Sequence, residues 1–221
     1  MRSRYAEHFC HDTDAATYDS DVQRESHPIR QGYASVLSWV ASRVRPGSRV
    51  LDLGAGTGNL DLLLPPLERL VCVDVSARML AVARDKLQSR QSVTYVVEDL
   101  LAYCTTTTEV FDHVVSTYAL HHLTDEEKRE LLRSLPRIVG PGGTAVFGDL
   151  MFADGGERAR IAERHREQRT GIDRDIADEY FWDIEDAVSV LALQGWRAET
   201  RRFSELSWAM LLGRDARTPE R

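Results

Sequence analysis

The chain has 221 residues, enough for one α/β domain with a sizeable core and a single insertion. Its formal charge of −7, from 28 lysines and arginines against 35 aspartates and glutamates, argues against a nucleic-acid partner, which leaves a basic footprint. Cys10, Cys72 and Cys104 stand far apart with no C-x-x-C pair and read as reduced thiols, while the N-terminus lacks an apolar signal core and no run approaches a membrane span. A cytoplasmic monomer or homodimer acting on a small-molecule substrate is expected.

Residues 1–30 are polar and irregular, with Tyr5, Phe9, Tyr18 and Ile29 set among Asp12, Asp14, Asp19 and Asp21. By themselves they read as a partly ordered tail. Between Gly32 and Arg43, Tyr33, Val36, Leu37 and Val40 recur at helical spacing, and Arg45-Pro46-Gly47-Ser48 ends that helix. Val50-Leu51-Asp52-Leu53-Gly54-Ala55-Gly56-Thr57-Gly58-Asn59-Leu60 follows. It predicts a strand, a tight turn of three alternate glycines, and a helix through Leu60, Leu62 and Leu63 that Pro65-Pro66 stops. Glycine belongs where backbone passes close to a ligand at dihedrals a Cβ would block. The helix N-terminus would offer free N–H groups to a polar ligand group. Gly-x-Gly-x-Gly differs from the Gly-x-Gly-x-x-Gly of pyrophosphate-binding dehydrogenases, which disfavours a dinucleotide.

A second apolar run, Leu70 to Val73, ends in Asp74. A carboxylate at the tip of the second strand can accept from both hydroxyls of a ribose. Ser76 is placed as the N-cap of an amphipathic helix over Ala77 to Gln88. Strand three, Val93 to Val97, ends in Glu98-Asp99-Leu100, and Thr105 to Thr108 reads as a surface connection. Strand four, Phe111 to Ser116, leads into Thr117-Tyr118-Ala119-Leu120-His121-His122-Leu123. Thr124 and Glu127 then form a capping box opening a helix to Leu135. Pro141-Gly142-Gly143 turns into strand five, Thr144 to Gly148, which ends in Asp149. Residues 151–178 are an insertion with a charged helix around Glu157 to Arg169. An aromatic cluster, Tyr180-Phe181-Trp182, precedes a helix from Ile184 to Gln194, and Arg197 to Phe203 and Trp208 to Leu212 close the chain as an antiparallel pair of strands.

Five strand ends carry polar or glycine residues, at Asp52 to Gly58, Asp74, Asp99, Ser116 to His122 and Asp149 to Phe152. In an open parallel sheet the ligand sits outside those ends. His121 or His122 is a candidate general base, since imidazole titrates near neutral pH. Tyr118 is a candidate for lining an acceptor pocket and Tyr180, with its aromatic neighbours, for roofing it. Asp149 and Asp154 alone make no carboxylate trio, so no metal is expected.

VLDLGAGTGNL followed by VCVDVSARML resembles the class I S-adenosylmethionine (AdoMet) dependent methyltransferases. That resemblance implies a doubly wound, mostly parallel, seven-stranded α/β sheet of Rossmann-like type with an antiparallel last strand. Residues 46–221 would be the AdoMet-binding domain and residues 1–45 a lid and helix. The cofactor contacts it implies are Tyr18, Asp52, Gly54, Gly56, Gly58, Asn59, Asp74, Val75, Met79, Asp99, Leu100 and Ser116. Ala15 to Asp19 is similar to a lid segment, with the Tyr18 ring turned to the sulfonium. Met79 or its neighbour would cover adenine, and Asp99 beside Leu100 would accept from its exocyclic amine. STYALHHLTDEEK is similar to the YrrT-like group of small bacterial methyltransferases, associated with sulfur amino-acid recycling.

Methyl transfer from a sulfonium needs mainly alignment and exclusion of water, because the electrophile is already activated. Two other readings stand beside transfer to a small molecule. In one, AdoMet is the sole substrate, and its α-amine closes on Cγ to give azetidine-2-carboxylate and methylthioadenosine, with the bulky 180–182 cluster filling an acceptor pocket. In the other, the chain holds AdoMet without turnover.

Overall fold

The computed structural model describes residues 2–4, 6, 12–13, 15–22, 24 and 26–214. Tyr5, Phe9, Cys10 and Asp14, noted in the sequence, lie outside them. In chain order the elements are α1 (Tyr18–Val22), α2 (Tyr33–Ala41), β1 (Arg49–Leu53), β2 (Arg69–Asp74), α3 (Ala77–Lys86), β3 (Val93–Val97), α4 (Leu100–Thr106) and β4 (Phe111–Thr117). There follow α5 (Asp125–Ile138), β5 (Val139–Phe152), α6 (Gly155–Gln168), α7 (Ile172–Asp178), β6 (Trp182–Asp183), α8 (Ile184–Ala192), β7 (Trp196–Arg202) and β8 (Ser207–Arg214).

The sheet runs β3-β2-β1-β4-β5-β8-β7, with β6 paired to the end of β5. β1 to β5 are parallel, and β8 runs against both of its neighbours, as the resemblance implies. Strand order reverses between β1 and β4, which opens a crevice at their carboxyl ends. Alternate side chains of the parallel strands feed two apolar layers. Leu51, Leu53, Val71 and Val73 pack with Leu101, Leu131 and Leu191 from α4, α5 and α8, while Val50, Leu70 and Cys72 pack with Val36, Val40 and Leu80 from α2 and α3. Fully burying one such side chain contributes about 1.5–3 kcal/mol. Burial on both faces is what makes these strands near-continuous apolar runs in the sequence.

Several elements depart from expectation. The helix through Leu60 to Leu63 is a single 3-10 turn, Asp61–Leu63, with Leu64 already extended. Two prolines follow it, and proline disfavours helix in the residue before it. No α-helix N-terminus therefore stands behind the glycine turn. α3 stops at Lys86, short of Gln88. α4, absent from the sequence reading, opens on Asp99, whose side chain accepts from the Ala102 N–H at 2.8 Å. Its last turn contains Thr105 and Thr106, whose hydroxyls bond back to the Ala102 carbonyl at 2.9 Å each, a local alternative that masks helical threonine in a sequence. β5 runs through Pro141-Gly142-Gly143 instead of beginning after it. Trp182 of the aromatic cluster pairs as strand with Met151. The Thr124 capping box is present, with Thr124 N–H donating to Glu127 at 2.8 Å and Glu127 N–H to Thr124 at 3.3 Å.

His113 on β4 is fully buried. Its Nε2 accepts from the Arg45 N–H at 3.3 Å and its Nδ1 lies 2.8 Å from the Thr144 hydroxyl. Burial, with the Arg45 charge adding to it, pushes the imidazole pKa down from 6.5 to about 4. Below the ordinary value the unfolded chain takes up a proton that the native chain does not, so stability falls as pH drops through that window. The urea midpoint should decline between pH 7 and pH 5, with a smaller decline in His113→Gln.

Candidate active site

The crevice between the ends of β1 and β4 holds a cavity of about 880 Å³, its open mouth included. One wall is the glycine turn. Gly54, Gly56 and Gly58 have φ of +72°, +53° and +78°, which L side chains rarely adopt. A Cβ on Gly54 would stand 2.3 Å from the Cβ of Ala119, so the turn is pressed against the loop after β4. A Cβ on Gly56 would have no described atom within 4 Å and would project into open space. That open cradle lets backbone come close to a neighbouring group.

The turn is held to β2 through one side chain. Asp74 accepts from the Gly56 N–H and the Ser76 N–H, both at 2.8 Å, one on each carboxylate oxygen. An ionised carboxylate accepts about four hydrogen bonds, and these two backbone donors orient it. Ser76 in turn caps α3, accepting from the Met79 N–H at 3.0 Å. At the end of β3, Asp99 caps α4 and also accepts from the Ser3 N–H at 3.0 Å and from the Ser3 hydroxyl.

The N-terminal segment crosses this wall. Asp19 of α1 accepts from Thr57 at 2.6 Å and Asn59 at 3.0 Å and pairs with Lys86. Burial opposes its charge, but the Lys86, Thr57 and Asn59 hydrogen bonds outweigh burial and hold its pKa below the usual value. Asp12 accepts from the Ser76 hydroxyl at 2.5 Å. Ser3, Ala6 and Tyr18 thereby become part of the cavity lining.

The opposite end is aromatic. Tyr18, Tyr33 and Tyr118 line it, with the Tyr33 and Tyr118 rings 5.0 Å apart. Burial pushes all three phenols up, so each is neutral at physiological pH. Tyr118 has φ +51° and is held there by its N–H bond to the Gly148 carbonyl at 2.8 Å. Next to it, His122 lines the cavity, and the His121 ring sits behind it at 4.0 Å. His121 is buried, with Nδ1 2.5 Å from Asp149 Oδ1 and Nε2 3.6 Å from Glu179 Oε2. Burial disfavours its protonation, yet the adjacent Asp149 carboxylate prevails and its pKa is raised.

Of the expected site residues, Tyr18, Gly54, Gly56, Asn59, Asp74, Val75, Met79, Asp99, Leu100, Tyr118 and His122 line this cavity. Asp52, Gly58, Ser116, His121 and Tyr180 do not, each for a visible reason. Asp52 points to the other side of the strand from Leu51 and Leu53 and is buried against Asp61; burial and that neighbour push its pKa well above the usual carboxylate range. A Cβ on Gly58 would lie 3.2 Å from the Ala83 Cβ, so Gly58 serves packing of the turn on α3. The Ser116 hydroxyl donates to the Leu53 carbonyl at 2.6 Å, bracing β1 against β4. Tyr180 donates its N–H to the His121 carbonyl at 2.9 Å and accepts from Lys128. Phe181 and Trp182 are buried in the two apolar layers, so the aromatic cluster does not roof the cavity. Among the other lining residues, Ser3, Ala6, Tyr33, Leu60 and Leu123 were not singled out as site residues in the sequence. Ala55, Thr57, Thr117 and Ala119 carried a signal, standing inside the flagged strand-end stretches Asp52 to Gly58 and Ser116 to His122.

The methyltransferase-domain family pattern matches residues 50–143. An uncharacterized methyltransferase of Geobacillus kaustophilus is 33% identical over 204 residues, covering 89% of this chain and 91% of that protein. One of Anoxybacillus flavithermus is 32% identical over 201 residues, covering 89% and 92%. Among solved structures, the DhpI complex with S-adenosylhomocysteine superposes with a TM-score of 0.68 at 19% identity, over 94% of both chains. The N-methyltransferase NodS of Bradyrhizobium japonicum, also with S-adenosylhomocysteine, gives 0.63 at 17% identity, over 95% of this chain and 100% of that one. The chain belongs to the class I AdoMet-dependent methyltransferases. Among the described residues no helix is long and apolar enough to cross a membrane.

Because the Gly54 Cβ position is filled by Ala119, Gly54→Ala carries a clash as well as a strained φ. It should lower unfolding free energy by about 2–4 kcal/mol. Gly47→Ala, at φ +73° with no described atom within 4 Å of the new Cβ, carries the dihedral cost alone, about 1–2 kcal/mol. Urea denaturation of the two variants checks the difference.

Proposed function

We propose that the cavity binds AdoMet along the glycine turn and directs its methyl group to a small-molecule acceptor at the tyrosine-histidine end. AdoMet supplies a sulfonium-bound methyl group already activated for displacement. The observation that carries this proposal is the pairing of the vacant Gly56 cradle with the backbone-pinned Asp74 carboxylate at the strand-order reversal. Asp74 is the acceptor for the ribose hydroxyls, and Val75, Met79 and Leu100 are the apolar walls for adenine. Asp99 takes the exocyclic amine in exchange for Ser3, which now donates to it.

Tyr18, Tyr33 and Tyr118 are neutral aromatic faces suited to a sulfonium, an attraction of about 2 kcal/mol when desolvated. Ser3, Ala6 and Tyr18 line the cavity, and the N-terminal segment serves as the cover that excludes water, as a lid does in other transferases. That same cover leaves room for a small acceptor and favours it over a macromolecule. His122 takes the proton of a hydroxyl or ammonium acceptor, while His121, oriented by Asp149, backs its ring as a positioning residue. Cyclisation of AdoMet loses its structural motive, since Phe181 and Trp182 fill the core instead of an acceptor pocket.

Incubation with AdoMet and a panel of small thiols, amines and alcohols, read by mass spectrometry, should give S-adenosylhomocysteine and a methylated product. Methylthioadenosine formed from AdoMet alone would overturn the proposal. Asp74→Ala should weaken AdoMet binding by about 1–3 kcal/mol, measured by equilibrium dialysis; unchanged affinity would remove Asp74 from the ribose site.

A further inference from the structure

We propose that His121, His122 and Glu179 form a binding site for one divalent first-row transition ion beside the acceptor end of the cavity. One ligand atom from each of the three lies within 4.8 Å of the others. His121 Nε2 and Glu179 Oε2 are already 3.6 Å apart. Ligand atoms around a four-coordinate zinc stand roughly 3.3 Å from one another, so modest side-chain rotation brings the third into place. Two imidazoles and one carboxylate are a donor set that suits zinc and its first-row neighbours, and three protein ligands leave a coordination position open.

The surroundings are built as ion sites are. His121 Nδ1 is engaged by Asp149 at 2.5 Å; in the neutral ring, which ion binding selects over the imidazolium, this leaves Nε2 as the nitrogen with the lone pair and aims it at Glu179, the carboxylate-histidine arrangement that orients metal-bound imidazoles. Asp149 is itself fixed, accepting from the N–H groups of His121 at 3.0 Å and Leu150 at 2.8 Å. The Tyr180 N–H bond to the His121 carbonyl at 2.9 Å clamps the segment carrying Glu179 against the histidine pair. A divalent charge there is balanced by Asp149 and Glu179.

His122 lies on the cavity wall, so an ion at this trio sits within reach of whatever occupies the acceptor end. A thiol or hydroxyl acceptor that coordinates it gives up its proton to solvent more readily. With the ion in place, His122 is a ligand and no longer the proton acceptor. Only this last use rests on the methyl-transfer proposal; ion binding does not.

The test uses full-length, tag-free, chelator-treated protein titrated with Zn2+ by calorimetry and with Co2+ by visible absorption. One ion per chain is expected, with micromolar or tighter affinity and a low-symmetry Co2+ spectrum. His121→Ala and Glu179→Gln should each weaken binding at least tenfold while AdoMet affinity stays within twofold, which shows the fold intact. Should His121→Ala fail to fold, Glu179→Gln alone carries the test. His165→Ala, at a buried histidine paired with Glu205 elsewhere, should leave ion binding unchanged. Absence of saturable binding in the parent protein, or equal affinity in Glu179→Gln, overturns the proposal. Either result with normal AdoMet binding leaves methyl transfer standing.

Discussion

Two backbone N–H groups, from Gly56 and Ser76, close on the two oxygens of the Asp74 carboxylate. Each such charge-assisted bond contributes about 1.5–3 kcal/mol. Together they tie the turn after β1, the tip of β2 and the start of α3 to one side chain. Gly56 sits at φ +53° in this grip, a dihedral L side chains rarely adopt, with its Cβ side open. The cavity is shaped by this constraint before any ligand arrives.

What the sequence showed follows from burial. β1, β2 and β4 bury both faces, so their apolar runs were plain, and the strand order followed from family resemblance. Depth along a strand was less legible. Asp52 and Asp74 both sit near strand ends, but Asp74 is the last residue of β2 whereas Leu53 follows Asp52 in β1. The register pairs Asp52 with Cys72, two residues before Asp74, so the two aspartates share a face of the sheet; Asp52, lying deeper, is buried beneath the turn against Asp61, while Asp74 stands at the tip. The neighbours His121 and His122 were likewise indistinguishable until a 3-10 turn sent one to the wall and the other to Asp149. Glu179 carried no signal, because only the packing of α7's end against the histidines brings it near. α4 was hidden by chemistry: Asp99 reads equally as a ligand acceptor and as a cap, and its side chain caps α4.

The N-terminal segment along the cavity is held differently from the core. Ser3 on Asp99, Asp12 on Ser76 and Asp19 on Thr57, Asn59 and Lys86 are polar contacts at half-exposed positions. Segments fastened this way, with little apolar burial, sit at the low-stability end of a protein and can exchange partners at modest cost. Ser3 donates to both oxygens of Asp99, so any change in what Asp99 accepts acts on the N-terminal segment as well.

The tyrosine end is governed by packing instead. A Cβ on Gly148 would lie 2.3 Å from Val36 Cγ1, so α2 rides directly on β5 at that residue. The same approach carries Tyr33 of α2 over the Tyr118 ring. The Gly148 carbonyl takes the Tyr118 N–H, holding a bulky residue in a left-handed conformation that costs about 1–3 kcal/mol. That strain is sustained because β4, β5 and α2 converge on Tyr118 from three sides, and it turns the next residues, Ala119 to His122, back across the glycine turn. Contact of Ala119 with Gly54 and the placement of His122 at the wall are therefore consequences of one close approach, between α2 and β5, on the far side of the tyrosines.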